Sequence, residues 1–336
     1  MTTRIAINGF GRIGRGALRA ILEQDAPVEV VAVNDLADGS GLAKLFNFDS
    51  VYGRAVERAQ VESGEDGEVL VIGERRIRLL SESDPSRLPW GELGVDTVLE
   101  VTGRFAAAEQ ARAHLDAGAG RVLVGAPSSG ADATLVRGVN WPVYDPAAHR
   151  IVSNGSCTTN ALAPLAKVLH EVAGIEQAFM TTVHAYTQDQ NLVDGPHRDP
   201  RRARSAALNI VPTSTGAAKA IGLVLPELEG KLSGDALRVP VPVGSIVEIN
   251  ATVAREVSVD ELLSAYRAAA DGELAGVLRY SDDPLVSSDI VGDPASSIFD
   301  SGLVRVAGRH VKVSAWYDNE WGFSNRVAET LVFLAE

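Results

Sequence analysis

Residues 4–14 constrain the fold of this chain more than any other stretch. An apolar, strand-like run over residues 4–8 passes without a break into Gly9-Phe10-Gly11-Arg12-Ile13-Gly14, and then into a segment whose Leu18, Ile21 and Leu22 share one helical face. In the order strand, G-x-G-x-x-G, helix, the three glycines have separate jobs. Gly9 permits a tight turn, Gly11 lets backbone approach a pyrophosphate at the helix N-terminus, and Gly14 lets helix pack on strand. A second predicted strand, 29–34, ends in Asp35, 21 residues beyond Gly14. A carboxylate there accepts hydrogen bonds from ribose hydroxyls and repels a 2′-phosphate, so the pattern predicts a dinucleotide site. The competing use of Asp35 is to cap a helix predicted over 38–48, where Leu42, Leu45 and Phe46 have helical spacing.

The rest of this half alternates as α/β units do. A hairpin is predicted from 69–72 and 75–80 about Gly73-Glu74, a strand over 97–100, a helix over 107–118 and a strand over 122–125. Thr102-Gly103 and Ala126-Pro127 close two of these strands, at the end of a doubly wound sheet where ligands bind, with ordinary turn chemistry the competing reading and, for Ala126-Pro127 alone, the preferred one.

The second half turns on Cys157, the only cysteine among 336 residues. It sits where the extended pair Ile151-Val152 gives way to Ser153-Asn154-Gly155-Ser156 and then to a helix-like run over 162–172. A thiol at a helix N-terminus faces unpaired amides and a positive dipole end, which favour the thiolate. Such a cysteine is a candidate nucleophile, although most lone cysteines are small buried hydrophobes. The candidate partner base is His184, in a strand-like run over 180–187 whose alternation would place Thr182, His184 and Tyr186 on one face. A long polar stretch, 188–205, carries Arg198, Arg201, Arg202 and Arg204, and a loop of that length in a compact domain is normally functional. It leads to Pro212-Thr213-Ser214-Thr215-Gly216-Ala217-Ala218-Lys219, hydroxyls and glycine entering a helix, which suits an anion. Arg238 precedes Pro240-Val241-Pro242. Nucleophile, base, nicotinamide cofactor and two anion cradles together describe aldehyde oxidation through a thioester.

Composition narrows the classes. Lys+Arg 31 against Asp+Glu 44 gives a net charge of −13, which argues against nucleic acid or an anionic membrane as main partner. One cysteine excludes an intrachain disulfide, and six scattered histidines offer no zinc-ligand spacing, so no metal is expected. No apolar leader or 18-residue apolar stretch is present, and the expected location is cytoplasmic.

Ser156-Cys157-Thr158-Thr159-Asn160, His184-Ala185-Tyr186-Thr187, Arg201-Arg202-Ala203-Arg204, Pro212 to Lys219, Leu237-Arg238-Val239-Pro240 and Trp316-Tyr317-Asp318-Asn319-Glu320, with the opening glycine motif, closely resemble phosphorylating glyceraldehyde-3-phosphate dehydrogenases. The resemblance covers the chain from Arg4 to its end. It implies an α/β fold, with a Rossmann-type doubly wound parallel sheet (1–156, completed by 319–336) and an α+β catalytic domain with a mixed sheet (157–318). It implies Cys157 as nucleophile and His184 as base, with NAD held by Gly9, Gly11, Arg12, Ile13, Asp35, Gly125 and Asn319. Thr187, Arg202 and Arg238 would bind the C3 phosphate of glyceraldehyde 3-phosphate, and Ser156, Thr158, Thr215 and Gly216 the inorganic phosphate. A homotetramer is implied as well. The rival readings are erythrose-4-phosphate dehydrogenase, which hydrolyses its thioester, and a non-catalytic NAD-binding scaffold of the same fold. The chain departs from the family pattern at Gly155 (usually alanine), Ala161 (usually a second cysteine), Gly195 (commonly leucine), Gly125 (commonly serine) and Ser83 (commonly arginine).

Overall fold

The structure, a computed structural model, describes residues 2–64 and 67–336; Met1, the first residue of the predicted cofactor domain, lies outside them. The chain forms two compact units. One runs to Leu135 and resumes over Pro142–Gly155 and Ser324–Glu336; the other comprises Val136–Trp141 and Ser156–Phe323.

The strands of the first unit are β1 (Thr3–Asn8), β2 (Val28–Asn34), the small pair β3 (Phe48–Asp49) and β4 (Gly53–Arg54), β5 (Ala59–Gly64), β6 (Gly67–Ile72), β7 (Arg75–Leu80), β8 (Thr97–Glu100), β9 (Arg121–Val124), β10 (Ala133–Thr134) and β11 (Ile151–Ser153). Helices α1 (Arg12–Glu23), α2 (Gly39–Asn47) and α3 (Ala108–Asp116) connect them. The main sheet runs β10-β11-β9-β8-β1-β2-β7-β6-β5, parallel from β10 to β7 and antiparallel over β7, β6 and β5. Winding reverses at β1, between β2 and β8, which is the switch point where a doubly wound sheet takes its ligand. Ile5, Ala6 and Ile7 are fully buried, as expected of a parallel strand covered on both faces. Leu18 and Ile21 of α1 face the core, while Leu22 stays half-buried. The hairpin at Gly73 is present, but β5 was not legible: its Ala-Gln-Val-Glu-Ser-Gly sequence is polar because it forms the sheet's exposed edge.

The second unit holds β12 (Ile175–Ala185), β13 (Val211–Ser214), β14 (Leu232–Val239), β15 (Ser245–Val253), β16 (Leu278–Ser281), β17 (Ser297–Asp300), β18 (Arg305–Ala307) and β19 (His310–Tyr317), with helices α4 (Cys157–Ala173), α5 (Ala217–Val224) and α6 (Val259–Asp271). Its mixed sheet runs β13-β14-β12-β15-β19-β17-β16, with β18 on β19; only the β12–β14 and β16–β17 pairs are parallel. Leu162, Leu165, Ala166 and Leu169 of α4 are completely buried in this unit's core, together with Val247, Ile249, Val313 and Ala315 of the sheet. Tyr266 of α6 stacks on Phe299 with ring centroids 3.9 Å apart and donates its hydroxyl to the Leu165 carbonyl at 2.7 Å, which pins α4 in place. Period-2 alternation along β12 leaves Phe179 71% exposed between buried Ala178 and Met180, so the other face of the sheet carries an uncovered aromatic ring.

Helix α7 (Trp321–Phe333) ends the chain. From Ser324 on it belongs to the first unit, where Val327, Leu331 and Leu334 are buried and Thr330 donates to Asn154 Oδ1 at 2.8 Å.

Candidate active site

Helix α4 starts at Cys157, five residues before the run predicted from apolar spacing, because Ser156 caps it. Ser156 Oγ accepts the Thr159 amide at 3.0 Å, an interaction that typically contributes about 1 kcal/mol. Cys157 is therefore the first residue of a 17-residue helix that is buried along most of its length.

His184 comes from β12, which ends at Ala185 rather than at Thr187; Tyr186 and Thr187 lie in the following loop. Cys157 Sγ is 3.4 Å from His184 Nε2. His184 Nδ1 lies 2.6 Å from the Ala185 carbonyl, which can only accept, so Nδ1 carries the hydrogen and Nε2 offers its lone pair to the thiol. On β14, register-paired with His184, stands Arg238. Its Nη1 donates to the Ala185 carbonyl at 3.1 Å and to Thr187 Oγ1 at 3.2 Å, while its buried Nε has no hydrogen-bond partner among the described residues.

These positions set the charges. Burial pushes the Cys157 thiol up, against the pull of Arg238, the Thr158 hydroxyl and the first-turn amides. Burial therefore opposes the thiolate that the helix terminus favours. Burial, with Arg238 and Arg202 adding to it, pushes His184 down to about 3, although its bond to the Ala185 carbonyl works the other way. With Nδ1 bonded to the carbonyl, His184 Nε2 is placed to take the thiol proton when the sulfur attacks.

The other predicted anion ligands differ in how they are engaged. Arg202 is tied down: it donates through Nε to Thr213 Oγ1 at 2.9 Å, through Nη2 to the Ser214 carbonyl at 3.2 Å and through Nη1 to Asp189, with Asp199 3.6 Å away. Asp189 was not anticipated; its Thr-Gln-Asp context gave no sign that it would face an arginine 13 residues on. Thr215 Oγ1 accepts the Ala217 amide at 3.2 Å, and Gly216 caps α5 with open space where a Cβ would project. Asn319 Oδ1 accepts from the Gly244 amide at 3.1 Å and from Ser245 Oγ at 3.0 Å, and Ser245 Oγ in turn accepts the Ala185 amide at 3.0 Å. Asn319 is thus held in one hydrogen-bonded chain with the end of β12.

In the first unit the glycine loop has the shape its sequence requires. Gly9 has φ +98°, and a Cβ there would lie 2.8 Å from the Thr102 amide nitrogen; a Cβ on Gly14 would strike the Gly9 carbonyl at 2.1 Å. Gly11, by contrast, opens on empty space at a helix start with no side-chain cap, which is room for a pyrophosphate. Asp35 does not cap α2, a role taken by Asp38, which accepts the Gly41 amide at 2.8 Å. Asp35 accepts the Phe10 and Ala37 amides at 2.8 and 3.1 Å, fixing its carboxylate beside the loop. Half-buried Ile13 lies in the first turn of α1, and Arg12 pairs with Asp49 under the Tyr52 ring. Behind the loop, buried Glu100 accepts from His114, Asn8 and Thr102, a network invisible in the sequence.

Two family models match the chain: glyceraldehyde 3-phosphate dehydrogenase, NAD binding domain, over residues 3–108, and its C-terminal domain over residues 156–319. A glyceraldehyde-3-phosphate dehydrogenase of Kitasatospora aureofaciens is 70% identical over 333 residues, 99% of each chain. The chain belongs to the glyceraldehyde-3-phosphate dehydrogenase family. Glyceraldehyde-3-phosphate dehydrogenase 2 of Streptomyces arenae is 58% identical over 98% of this chain and 97% of its own, and the Mycolicibacterium smegmatis protein is 55% identical over 100% and 99%.

The departures from the family pattern have local explanations. Gly155 has φ +64°, where alanine costs about 1 kcal/mol. A side chain on Gly125 would meet Val101 Cγ1 at 2.5 Å, so the serine common in the family needs a different rotamer or residue at 101. Gly195 places its carbonyl 2.6 Å from Asn191 Nδ2, and Ser83 is exposed. Ala161 is fully buried one helical turn from Cys157, a methyl group where a resolving thiol would sit. Mild peroxide is therefore expected to carry Cys157 from sulfenic to sulfinic and sulfonic acid, unless an external thiol caps the sulfenic form first. Intact-mass spectra should show added oxygens, and recovery by reductant should require thiol during the oxidation. A product lighter by two hydrogens would contradict this.

Proposed function

We propose that this chain oxidises D-glyceraldehyde 3-phosphate, with NAD and inorganic phosphate, to 1,3-bisphosphoglycerate, and that the site residues act as follows. The observation that carries the reading is the Cys157–His184 contact of 3.4 Å, with the histidine tautomer fixed by the Ala185 carbonyl. Cys157 sulfur adds to the aldehyde carbon as its proton passes to His184 Nε2, and the resulting imidazolium steadies the oxyanion. Oxidation of this adduct, for which NAD supplies the hydride acceptor when bound, leaves a thioester on Cys157. Arg238 and Thr187, with Arg202, hold the C3 phosphate, and Arg238 Nε is a donor awaiting an acceptor. Ser156, Thr158, Thr215 and Gly216 hold the phosphate that attacks the thioester. NAD is held through Gly9, Gly11, Arg12, Ile13, Asp35, Gly125 and Asn319.

NADH formation from glyceraldehyde 3-phosphate and from erythrose 4-phosphate, each with and without phosphate, tests the proposal. Strict dependence on phosphate with the triose supports it. Phosphate-independent turnover of the tetrose would make the chain an erythrose-4-phosphate dehydrogenase, and no turnover would make it a scaffold.

Asp35 should impose NAD preference, because a 2′-phosphate would face its fixed carboxylate. Like-charge juxtaposition of this kind costs several kcal/mol, so kcat/KM for NAD should exceed that for NADP by on the order of 10²-fold. Equal values would mean that Asp35 does not meet the ribose.

We also propose a homotetramer. The uncovered sheet face at Phe179, and Leu192, Val193, Leu208 and Ile210, each more than two-thirds exposed around the long loop, are surfaces that further copies would cover. Sedimentation at micromolar concentration should give four copies, and a monomer would refute this. Among the described residues no helix is long and apolar enough to cross a membrane. The proposed need for a reduced thiol favours the cytoplasm.

A further inference from the structure

Buried Glu100, at the end of β8, takes part in none of the steps proposed above, yet the hydrogens around it can be assigned from groups whose roles are fixed. Trp90 Nε1 can only donate, and it donates to His114 Nδ1 at 3.0 Å. His114 is therefore neutral, carries its hydrogen on Nε2 and gives it to Glu100 Oε2 at 3.0 Å. On the other side the Glu82 amide donates to Asn34 Oδ1 at 2.8 Å, which turns Asn34 Nδ2 toward the Glu82 carbonyl and Asn8 Oδ1, at 2.9 and 2.7 Å. That leaves Asn8 Nδ2 to donate to Glu100 Oε2 at 2.6 Å. The Thr102 amide reaches Oε1 at 2.8 Å, and the Thr102 hydroxyl bonds the same oxygen. Hydrogens from four donors converge on two oxygens, which is the surrounding of a carboxylate and not of a carboxylic acid. Among the described residues no lysine or arginine pairs with it. Its neutral partners solvate the charge without cancelling it, and in a protein interior such a charge is felt beyond its contacts.

The position of this charge in the sheet says what it can act on. Glu100 is register-paired with Asn8, which precedes the glycine loop, and with Val124, which precedes Gly125. Asp35, proposed above to meet the adenine ribose, follows β2 on the far side of β1. A dinucleotide that starts there and crosses the glycine loop runs its other half over the ends of β8 and β9, toward Gly125. That half carries the feature by which the two forms of the cofactor differ in charge: a pyridinium ring in oxidised NAD, a neutral dihydropyridine in NADH. We propose that Glu100 is a specificity-determining residue, a fixed counter-charge that favours the oxidised cofactor and loosens the hold on the reduced one, which is the product. The pyrophosphate is repelled alike in both forms, so the charge acts on the ratio of the two affinities. The proposal rests on the placement of NAD given above. The competing role for Glu100 is only to hold the Thr102 turn, whose amide nitrogen packs against Gly9.

Calorimetric titration of the full chain with oxidised NAD and with NADH, in the absence of aldehyde, tests this in wild type, in Glu100→Gln and in the double variant Asn8→Asp/Glu100→Gln. Wild type should bind oxidised NAD at least about threefold more tightly than NADH, and equal affinities or the reverse order overturn the proposal. In Glu100→Gln the ratio of the two Kd values should shrink by about three- to tenfold, the scale of one unit charge acting at medium range through a protein's effective dielectric. Glutamine also turns an amide toward two donors, Asn8 Nδ2 and His114 Nε2, and so loosens the Thr102 turn. Loosening weakens both forms alike and leaves their ratio unmoved, which is the result that would reduce Glu100 to a structural role and overturn the proposal. The double variant moves the charge to β1 with the hydrogen bonds kept. The carboxylate introduced at position 8 accepts from the amide introduced at 100, from Asn34 and from His114, while the oxygen of that amide keeps the Thr102 hydrogens. It should restore the wild-type ratio, and recovered affinity without a recovered ratio overturns the proposal. If Glu100→Gln does not fold, the wild-type order and its persistence in the double variant decide the matter. Failure of wild type to bind either form would overturn the placement of NAD instead.

Discussion

Replacing His184 with asparagine is expected to slow hydride transfer from bound aldehyde by about 10²- to 10⁴-fold, the usual scale of acid–base assistance. The asparagine amide can still donate a hydrogen bond, so what is lost is the lone pair at Nε2 that receives the thiol proton. Because burial already holds the Cys157 thiol up, the variant should also need higher pH for alkylation, having lost the base in contact with the sulfur. Single-turnover NADH bursts and iodoacetamide alkylation measure the two effects, and an unchanged alkylation profile would refute the pairing. Stability gives a third readout with a definite sign. The folded His184 pKa is about 3 against an ordinary 6.5, so in acid the unfolded chain binds a proton that the folded chain does not. The contribution is fully present above about pH 6.5 and is lost as pH falls toward 3, reaching about 3 kcal/mol at pH 4. Asparagine escapes that loss, so the stability difference between wild type and variant should move in favour of the variant between pH 7 and 4.

Much of this arrangement could be read from the chain itself, and the reason is locality. The glycine loop, Asp35, the cysteine at a helix start and the histidine on an alternating strand are each specified within a dozen residues. What could not be read depends on which strands become neighbours. Tyr317 meets Thr158 and Thr182 across separations of 159 and 135 residues, because β19 and β12 both flank β15. The burial acting on the catalytic pair could not be read for the same reason. The helix terminus is a local feature that favours thiolate, whereas the burial that outweighs it comes from the packing of the whole unit. Ser156 was a local signal overlooked: apolar periodicity begins at Leu162, but the capping serine places the first turn five residues earlier.

Arg238→Met should lower kcat/KM for glyceraldehyde 3-phosphate by about 10²- to 10³-fold, while leaving turnover of unphosphorylated glyceraldehyde within about tenfold of wild type. Methionine keeps much of the buried stem and removes the guanidinium, whose unpartnered Nε and proximity to Thr187 suit a phosphate. Truncating one partner of a buried, hydrogen-bonded charge pair typically costs 2–5 kcal/mol, which converts to the expected loss on the phosphorylated substrate. The smaller effect on glyceraldehyde is electrostatic. Arg238 pulls the Cys157 thiol down and pushes His184 down, so its removal makes the sulfur harder to deprotonate and the imidazole easier to protonate. Both changes move the pH–rate profile for glyceraldehyde toward higher pH. Arg202, already bonded to Asp189, Thr213 and Ser214, should not compensate for the missing cation. Equal losses on the two aldehydes would mean that Arg238 acts on the catalytic pair and not on the C3 phosphate, and an unmoved pH profile would mean the reverse.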